Sequence, residues 1–315
     1  MQHKASAPGS LMLLGEHAVL HGKQALVCAI DKRLTVTLTP RDDTRIQIAS
    51  RLGRYSAELS EIKMEKPFQF VLGALQVFME SNELSQGCDI SIQSEFSDQM
   101  GFGSSAAVTA ATLSALASWC EMDFTALELV RLGRDVVHRV QGVGSGADIA
   151  ASVYGGVVRY HADPVEVEKI PVMLPLHAVY SGYKTPTADV VNQVKKRYAA
   201  QQNLFATICN DIHRCSFVGG QHLRDENWAE LGDIMNMQQD VMEVMGVSSP
   251  FLREIIQDLR DQAGIYGAKI SGSGLGDCVI ALGRLPIDYE CVVHGKILPR
   301  IAVDMSLRGL ECEKI

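Results

Sequence analysis

The sequence predicts an α+β fold in two domains, the first rich in strands and the second carrying most of the long helices. Three observations lead there. The chain has 315 residues, and domains usually take about 100 to 200 each. Its first half carries the period-two alternation of strands, whereas the helical period takes over after a polar stretch near His161–Lys169. A make-up of 47% hydrophobic and 21% charged residues is that of an ordinary globular chain, which sets aside collagen-like and disordered readings.

Taken in order, Leu34–Leu38, Arg45–Ala49 and Cys88–Ser94 alternate or are β-branched and read as strands with one wet face. Ala106–Cys120, rich in Ala and Leu with no breaker, reads as a helix buried on most sides. Phe124–Gln141 is helical by period, with Leu127, Val130 and Val137 on one side and Glu128, Arg131, Asp135 and Arg139 on another. Gly155-Gly156 then turns the chain into a strand over Val157–Tyr160. The domain boundary is expected near residue 162, giving domains 1–162 and 163–315. Helices are expected next over Thr187–Ala200, Asn227–Val244 and Ser249–Gly264, the last capped by Ser249 with Pro250 in its first position. Strands over Ala268–Ser271 and Cys278–Leu282 follow, separated by a glycine loop.

Charge excludes some partners. With 29 Lys and Arg against 37 Asp and Glu the net charge is −8, and no basic run suits a duplex, so no nucleic-acid partner is expected. No apolar run approaches the ~20 residues of a membrane helix, so no membrane partner is expected either. The start of the chain makes a poor signal peptide. Eight scattered cysteines without a Cys-x-x-Cys pair do not suggest zinc or redox chemistry, and a reducing cytoplasm is the expected setting.

The 27 glycines are bunched, and three bunches carry chemistry. Gly101-Phe-Gly103-Ser104-Ser105-Ala106 runs into a breaker-free helix. Unbonded amides and the helix dipole there attract anions, glycines let a phosphate approach the backbone, and a Ser hydroxyl can hold Mg²⁺. The alternative is a flexible loop with a Ser cap. Gln141-Gly-Val-Gly-Ser-Gly146-Ala-Asp148 presents one carboxylate at a helix start, either as a proton acceptor or as an ordinary first-turn acid. Gly267–Cys278 places Gly272, Gly274 and Gly276 between two strands, for close approach to a ligand or for a tight hairpin. Near the N-terminus, Glu16 and His17 follow an apolar strand, where polar groups often line a site.

Together these features resemble the galactokinase, homoserine kinase, mevalonate kinase and phosphomevalonate kinase (GHMP) superfamily. Ala7-Pro-Gly with Gly15-Glu-His-Ala-Val-Leu-His-Gly22 is similar to its first motif, Gly101–Ala107 to its second and Lys269–Cys278 to its third. The resemblance implies a strand-rich N-terminal domain with the phosphate loop and a ferredoxin-like C-terminal domain. It implies that Gly101, Gly103, Ser104, Ser105 and Ala106 cradle the phosphates of ATP, with Ser105 on Mg²⁺. Asp148 falls at the position of the catalytic aspartate. Asp135 either completes the magnesium site or pairs with Arg131 or Arg139 on its own helix. Glu16, His17, Thr187 and Gly274 match substrate-facing positions, Thr187 being alternatively a helix cap.

The departures are specific. The lysine after Ala-Pro-Gly in the first motif is Ser10 here, so either another cation such as Lys4, Lys23 or Lys184 enters the site or positioning and magnesium suffice, and Leu275 and Asp277 interrupt the third motif. The implied activity is ATP-dependent phosphorylation of a hydroxyl on a small acid, with mevalonate the first choice, which would place the chain in isoprenoid biosynthesis. The alternatives are phosphomevalonate as acceptor, or a kinase-like sensor without turnover. A homodimer is the family expectation.

Overall fold

The computed structural model describes residues 1–315. Its first sheet is built on two long antiparallel strands, β1 (His3–Leu14) and β2 (Gln24–Pro40). β2 is long enough to serve two neighbours on its other side. The half over 34–40 pairs with β5 (Cys88–Ser94), which joins the hairpin of β3 (Arg45–Ser50) and β4 (Gly53–Glu58). The half over 24–28 pairs with β6 (Val157–Ala162). Helices α1 (Gln69–Ser81), α2 (Ser104–Trp119), α3 (Ala126–Gln141) and α4 (Ala147–Tyr154) pack together, with α2 and α4 against β1. The absence of charged residues from α2 follows from this position: it touches α1, α3, α4 and the sheet and is buried on most sides, with its Thr109 and Thr112 hydroxyls bonded back to carbonyls of the same helix. α3 shows one wet face and begins with a capping box between Thr125 and Glu128.

The boundary expected near residue 162 falls inside a hairpin. β6 turns through Asp163-Pro164 into β7 (Val165–Ile170), and the two pair along their whole length. The last strand, β14 (Glu311–Lys314), returns to the first sheet and pairs with β1. We propose a division near residue 172, with the segment from Val303 onward rejoining the first body. The last strand is hidden from local sequence because its partner β1 lies at the other end of the chain. The hairpin pairs neighbouring strands, and Val165-Glu-Val-Glu168 carries a period-two alternation inside what reads as a polar stretch.

The second body carries β8 (Leu176–Tyr180), then helices α5 (Thr187–Arg197), α6 (Gln202–Arg224), α7 (Trp228–Met245) and α8 (Pro250–Arg260). The strands β9 (Ile265–Ser271) and β10 (Cys278–Gly283) follow, then the short pair β11 (Cys291–Val293) and β12 (Lys296–Leu298), and β13 (Arg300–Ile301). The antiparallel order β13–β8–β10–β9 is the ferredoxin-like one, with the β11–β12 hairpin where a second crossover helix would stand. Ser249 caps α8 by accepting from the Leu252 amide, with Pro250 in the first turn. α6 was not expected. Its Gly219-Gly220 pair weakens helix propensity but lets it press onto β1: a Cβ at Gly219 would come within 2.4 Å of Leu14 Cδ1.

The two bodies share an apolar seam. Along β10, Cys278, Ile280 and Leu282 belong to the core of the first body, whereas Val279 and Ala281 join the second core under the helices. That double burial explains a strand with no polar alternation. Two ion pairs join the bodies: Arg224 on α6 meets Glu168 on β7 at the exposed edge, at 2.6 Å, and the other is buried in the seam. Lys269 on β9 donates to Glu16, just beyond β1, with both side chains almost fully inaccessible. Gln238 on α7 closes the arrangement by donating to Glu16 and accepting from the Gly15 amide at 3.0 Å. Removing one partner leaves an uncompensated buried charge. Lys269→Met is therefore expected to lower the unfolding free energy by about 3–5 kcal/mol, and adding Glu16→Gln to recover a large part, as read from urea denaturation.

Candidate functional site

The start of α2 is shaped as a cradle. Gly101 and Gly103 take left-handed φ values of 69° and 62°, so the loop curls back over β1. A Cβ at Gly103 would stand 2.0 Å from Ser10 Oγ, and the Phe102 carbonyl accepts from the Ser10 amide at 3.1 Å. No backbone hydrogen bond uses the N–H groups of Ser104, Ser105 or Ala106. They form the positive end of a 16-residue helix.

Asp148 faces this cradle from the first turn of α4, after Gly146 in left-handed conformation. Ser10 Oγ donates to Asp148 Oδ1 at 2.7 Å, and Ser152 Oγ ties the same helix to the Pro8 carbonyl at 2.8 Å. Burial pushes the Asp148 carboxyl above the usual aspartate range, and the Ser10 hydrogen bond opposes that rise by favouring the ionised form. A carboxylate held this way is a stronger base than one in water.

Both belong to a cavity of about 150 Å³, room for a small organic molecule and not for a polymer. Ser105, Ala106, Asp148, Glu16, His17 and Thr187 all reach its wall. Met12, Val19, Leu20, Ile149 and Val191 make the wall largely apolar, and no Lys or Arg lines it. His17 adopts φ 60°, and its Nε2 donates to the Ser273 carbonyl at 2.8 Å. Burial lowers its pKa, so at neutral pH the imidazole is uncharged and Nδ1 is left as an acceptor.

Other expected positions resolve differently. Glu16 reaches the wall while its carboxylate is held by Lys269 and Gln238, so it shapes the site through an ion pair. Thr187 is the first residue of α5 and lines the cavity; the cap position belongs to Pro186. Gly274 lies behind the wall, where a Cβ would stand 2.3 Å from the Val247 carbonyl, and its neighbours Gly272 and Ser273 face the cavity instead. Asp135 is exposed on α3, apart from the cavity and without an ion pair to Arg131 or Arg139, which removes both readings made of it. Arg139 instead pairs with Glu80 on α1. The lining residue that sequence reasoning missed is Ser273, whose hydroxyl is buried without a partner. Its place in a glycine-spaced loop was the signal available.

Magnesium can be tested against these donors. No group of three or more His, Cys, Asp or Glu side chains could hold a metal by itself, so an all-protein cage is absent. Ser105 offers one hydroxyl beside the unbonded amides. That set fits Mg²⁺ carried by phosphates and waters, the usual habit of this ion.

The Ser10–Asp148 bond has a direct consequence. Ser10→Ala removes a hydrogen bond to the ionised carboxylate, so the Asp148 pKa is expected to move further upward, as followed by carboxyl-detected NMR titration.

The comparisons with known proteins agree with this geometry. Residues 69–156 match the N-terminal domain of GHMP kinases, and residues 221–286 match the GHMP kinase C-terminal region. A mevalonate kinase of Thermococcus sibiricus is 32% identical over 300 residues, covering 90% of this chain and 89% of the relative. One from Methanothermobacter thermautotrophicus is 32% identical over 311 residues, covering 98% and 100%. The crystal structure of L. major mevalonate kinase in complex with R-mevalonate superposes with a TM-score of 0.74 at 25% identity, over 90% of this chain and 87% of that one.

Proposed function

The chain belongs to the GHMP kinase family, and we propose that it transfers the γ-phosphoryl group of ATP to the terminal hydroxyl of mevalonate. The observation that carries the reading is a raised, serine-supported carboxylate facing a helix start with three unbonded amides across a small apolar cavity. The phosphates sit on the amides of Ser104, Ser105 and Ala106. Asp148 takes the proton of the acceptor hydroxyl as its oxygen attacks the γ-phosphorus. The bond from that phosphorus to the β,γ-bridging oxygen breaks, and ADP leaves. The proton on Asp148 passes to water before the next turnover. Magnesium, held by Ser105 and the phosphates when bound, supplies neutralising charge.

The acceptor is positioned by neutral groups. His17 Nδ1 accepts from a substrate hydroxyl, while the hydroxyls of Thr187 and Ser273 donate to its carboxylate. The apolar wall takes the methyl and methylene groups. Phosphomevalonate would add a dianionic phosphate, and a wall without Lys or Arg is unsuited to it. Arg159, one cation that such a substrate could have used, is paired with Glu168 on β7, outside the lining.

A coupled ADP-release assay with mevalonate, phosphomevalonate, homoserine and galactose tests the assignment. Turnover is expected with mevalonate, and preference for another acceptor, or ADP release with none, overturns it. Asp148→Asn should lower kcat by about 10²- to 10⁴-fold, with nucleotide affinity, measured by calorimetry, essentially kept.

A further inference from the structure

Charge around the phosphate loop is out of balance. Three carboxylates stand there: Glu16, Asp148 and Asp277. Glu16 is neutralised by Lys269, and Asp148 has the Ser10 hydroxyl. Asp277, in the third glycine loop, is only 7% exposed, and its Oδ1 has no hydrogen-bond partner. It also sits at φ 63°, a strained conformation for a residue with a side chain, and its Cβ would lie 2.9 Å from one built on Gly101 of the phosphate loop. A nucleotide triphosphate brings still more negative charge to this spot.

One cation is placed to answer it. Lys184 lies in the turn between β8 and α5, whose backbone is fastened to the third glycine loop on both sides of it. The Tyr183 carbonyl accepts from the Asp277 amide at 2.9 Å, and Thr185 Oγ1 donates to the Leu275 carbonyl at 2.5 Å. From this anchored position Lys184 reaches across the seam and donates to the Asp98 carbonyl at 3.0 Å, in the segment leading into the phosphate loop. The side chain is exposed and keeps two further N–H donors. Its charge favours the ionised forms of both Asp148 and Asp277, against the burial that raises them. Of the other candidates, Lys4 pairs with Glu313 at 3.0 Å, and Lys23 stands near Cys209 and His213 of α6.

We propose that Lys184 is the cation that contacts the γ-phosphate of the bound nucleotide, reaching it from the second body while the Asp98 carbonyl holds its ammonium beside the phosphate loop and the charge of Asp277 draws it there. This rests on the phosphoryl-transfer reading above. No bond to Lys184 forms or breaks. Its ammonium interacts with the transferring group as charge develops there, which the amides of α2 cannot do alone.

The test compares two nucleotides on the full-length protein. Calorimetry with ADP and with the β,γ-imido analogue of ATP, both with Mg²⁺, is run on wild type, Lys184→Met and Lys184→Arg. Lys184→Met should lose about tenfold affinity for the analogue while ADP binding stays within twofold, and Lys184→Arg should keep most of the difference. With mevalonate, kcat of Lys184→Met should fall about 10²-fold while KM for the acceptor stays within twofold. Equal weakening of both nucleotides would make Lys184 a tether for the loop and overturn the proposal, as would unchanged affinity for both. Wild type that binds nucleotide but phosphorylates no acceptor would remove the mevalonate assignment, and the nucleotide comparison would still decide the role of Lys184.

Discussion

Burying Glu16 and Lys269 together is the constraint on which the site depends. Taking both charges out of water costs several kcal/mol each, and their attraction repays that only where geometry and supporting hydrogen bonds are good. Those conditions are met only when the end of β1, the middle of β9 and Gln238 of α7 meet in one register. An apolar seam would tolerate small slips between the bodies; an ion pair with a carboxamide closing it does not. The residue after Glu16 is His17, whose Nε2 reaches the Ser273 carbonyl in the loop following β9. The same docking therefore brings the first and third glycine-bearing segments to one cavity. The strain of His17 at φ 60° is held by this arrangement.

A net charge of −8 does not by itself favour holding a polyanion. The structure separates the two problems. The unbonded amides at the start of α2 are neutral backbone dipoles, which offer an anion local positive potential whatever the overall charge. Two of the nearby acids are answered locally: Glu16 by Lys269, and Asp148 by Ser10 and the dipole of its own helix. Ser10 does two things at once. Its amide fixes the Phe102 carbonyl and its hydroxyl fixes Asp148, so one residue of β1 sets that carboxylate relative to the cradle.

Much of this was legible locally, and what was not has a common cause. The strands over 34–38, 45–49, 88–94 and 157–160, and the helices from Thr187 and Ser249, show in period and end signals because each buries one predictable side, whereas the helix from Ala106, buried on most sides, shows in its breaker-free run of Ala and Leu. The glycine loops show because left-handed backbone and close approach need glycine, as at Gly101 and Gly103. β14 has no such mark, since all four of its residues are exposed and its partner β1 decides that it is a strand. β7 alternates over Val165–Glu168, but its charged residues made it read as part of a polar stretch. Lys269 and Gln238 looked like ordinary polar residues, because the carboxylate that holds them is more than 200 positions away. Asp135 shows the reverse error. Val137 lines the cavity, and a residue two positions earlier is turned by about 200° around the helix, so Asp135 points to water.

The distribution of cations then bears on selectivity. Glu16 and Asp148 reach the acceptor cavity, no Lys or Arg lines it, and one of its two acids is already neutralised from behind. Hydroxyls and an uncharged imidazole can orient a single carboxylate and an alcohol, because each hydrogen bond there is made in a partly dry site. They cannot offset the desolvation of a phosphate dianion, whose recognition calls for charge-assisted, preferably forked, donors. The absent cation is thus a form of discrimination, since an acceptor carrying an extra phosphate would be left with unpaired charge against an apolar wall. Lys184, hydrogen-bonded across the seam at Asp98, stands on the nucleotide side of that division rather than on the acceptor side.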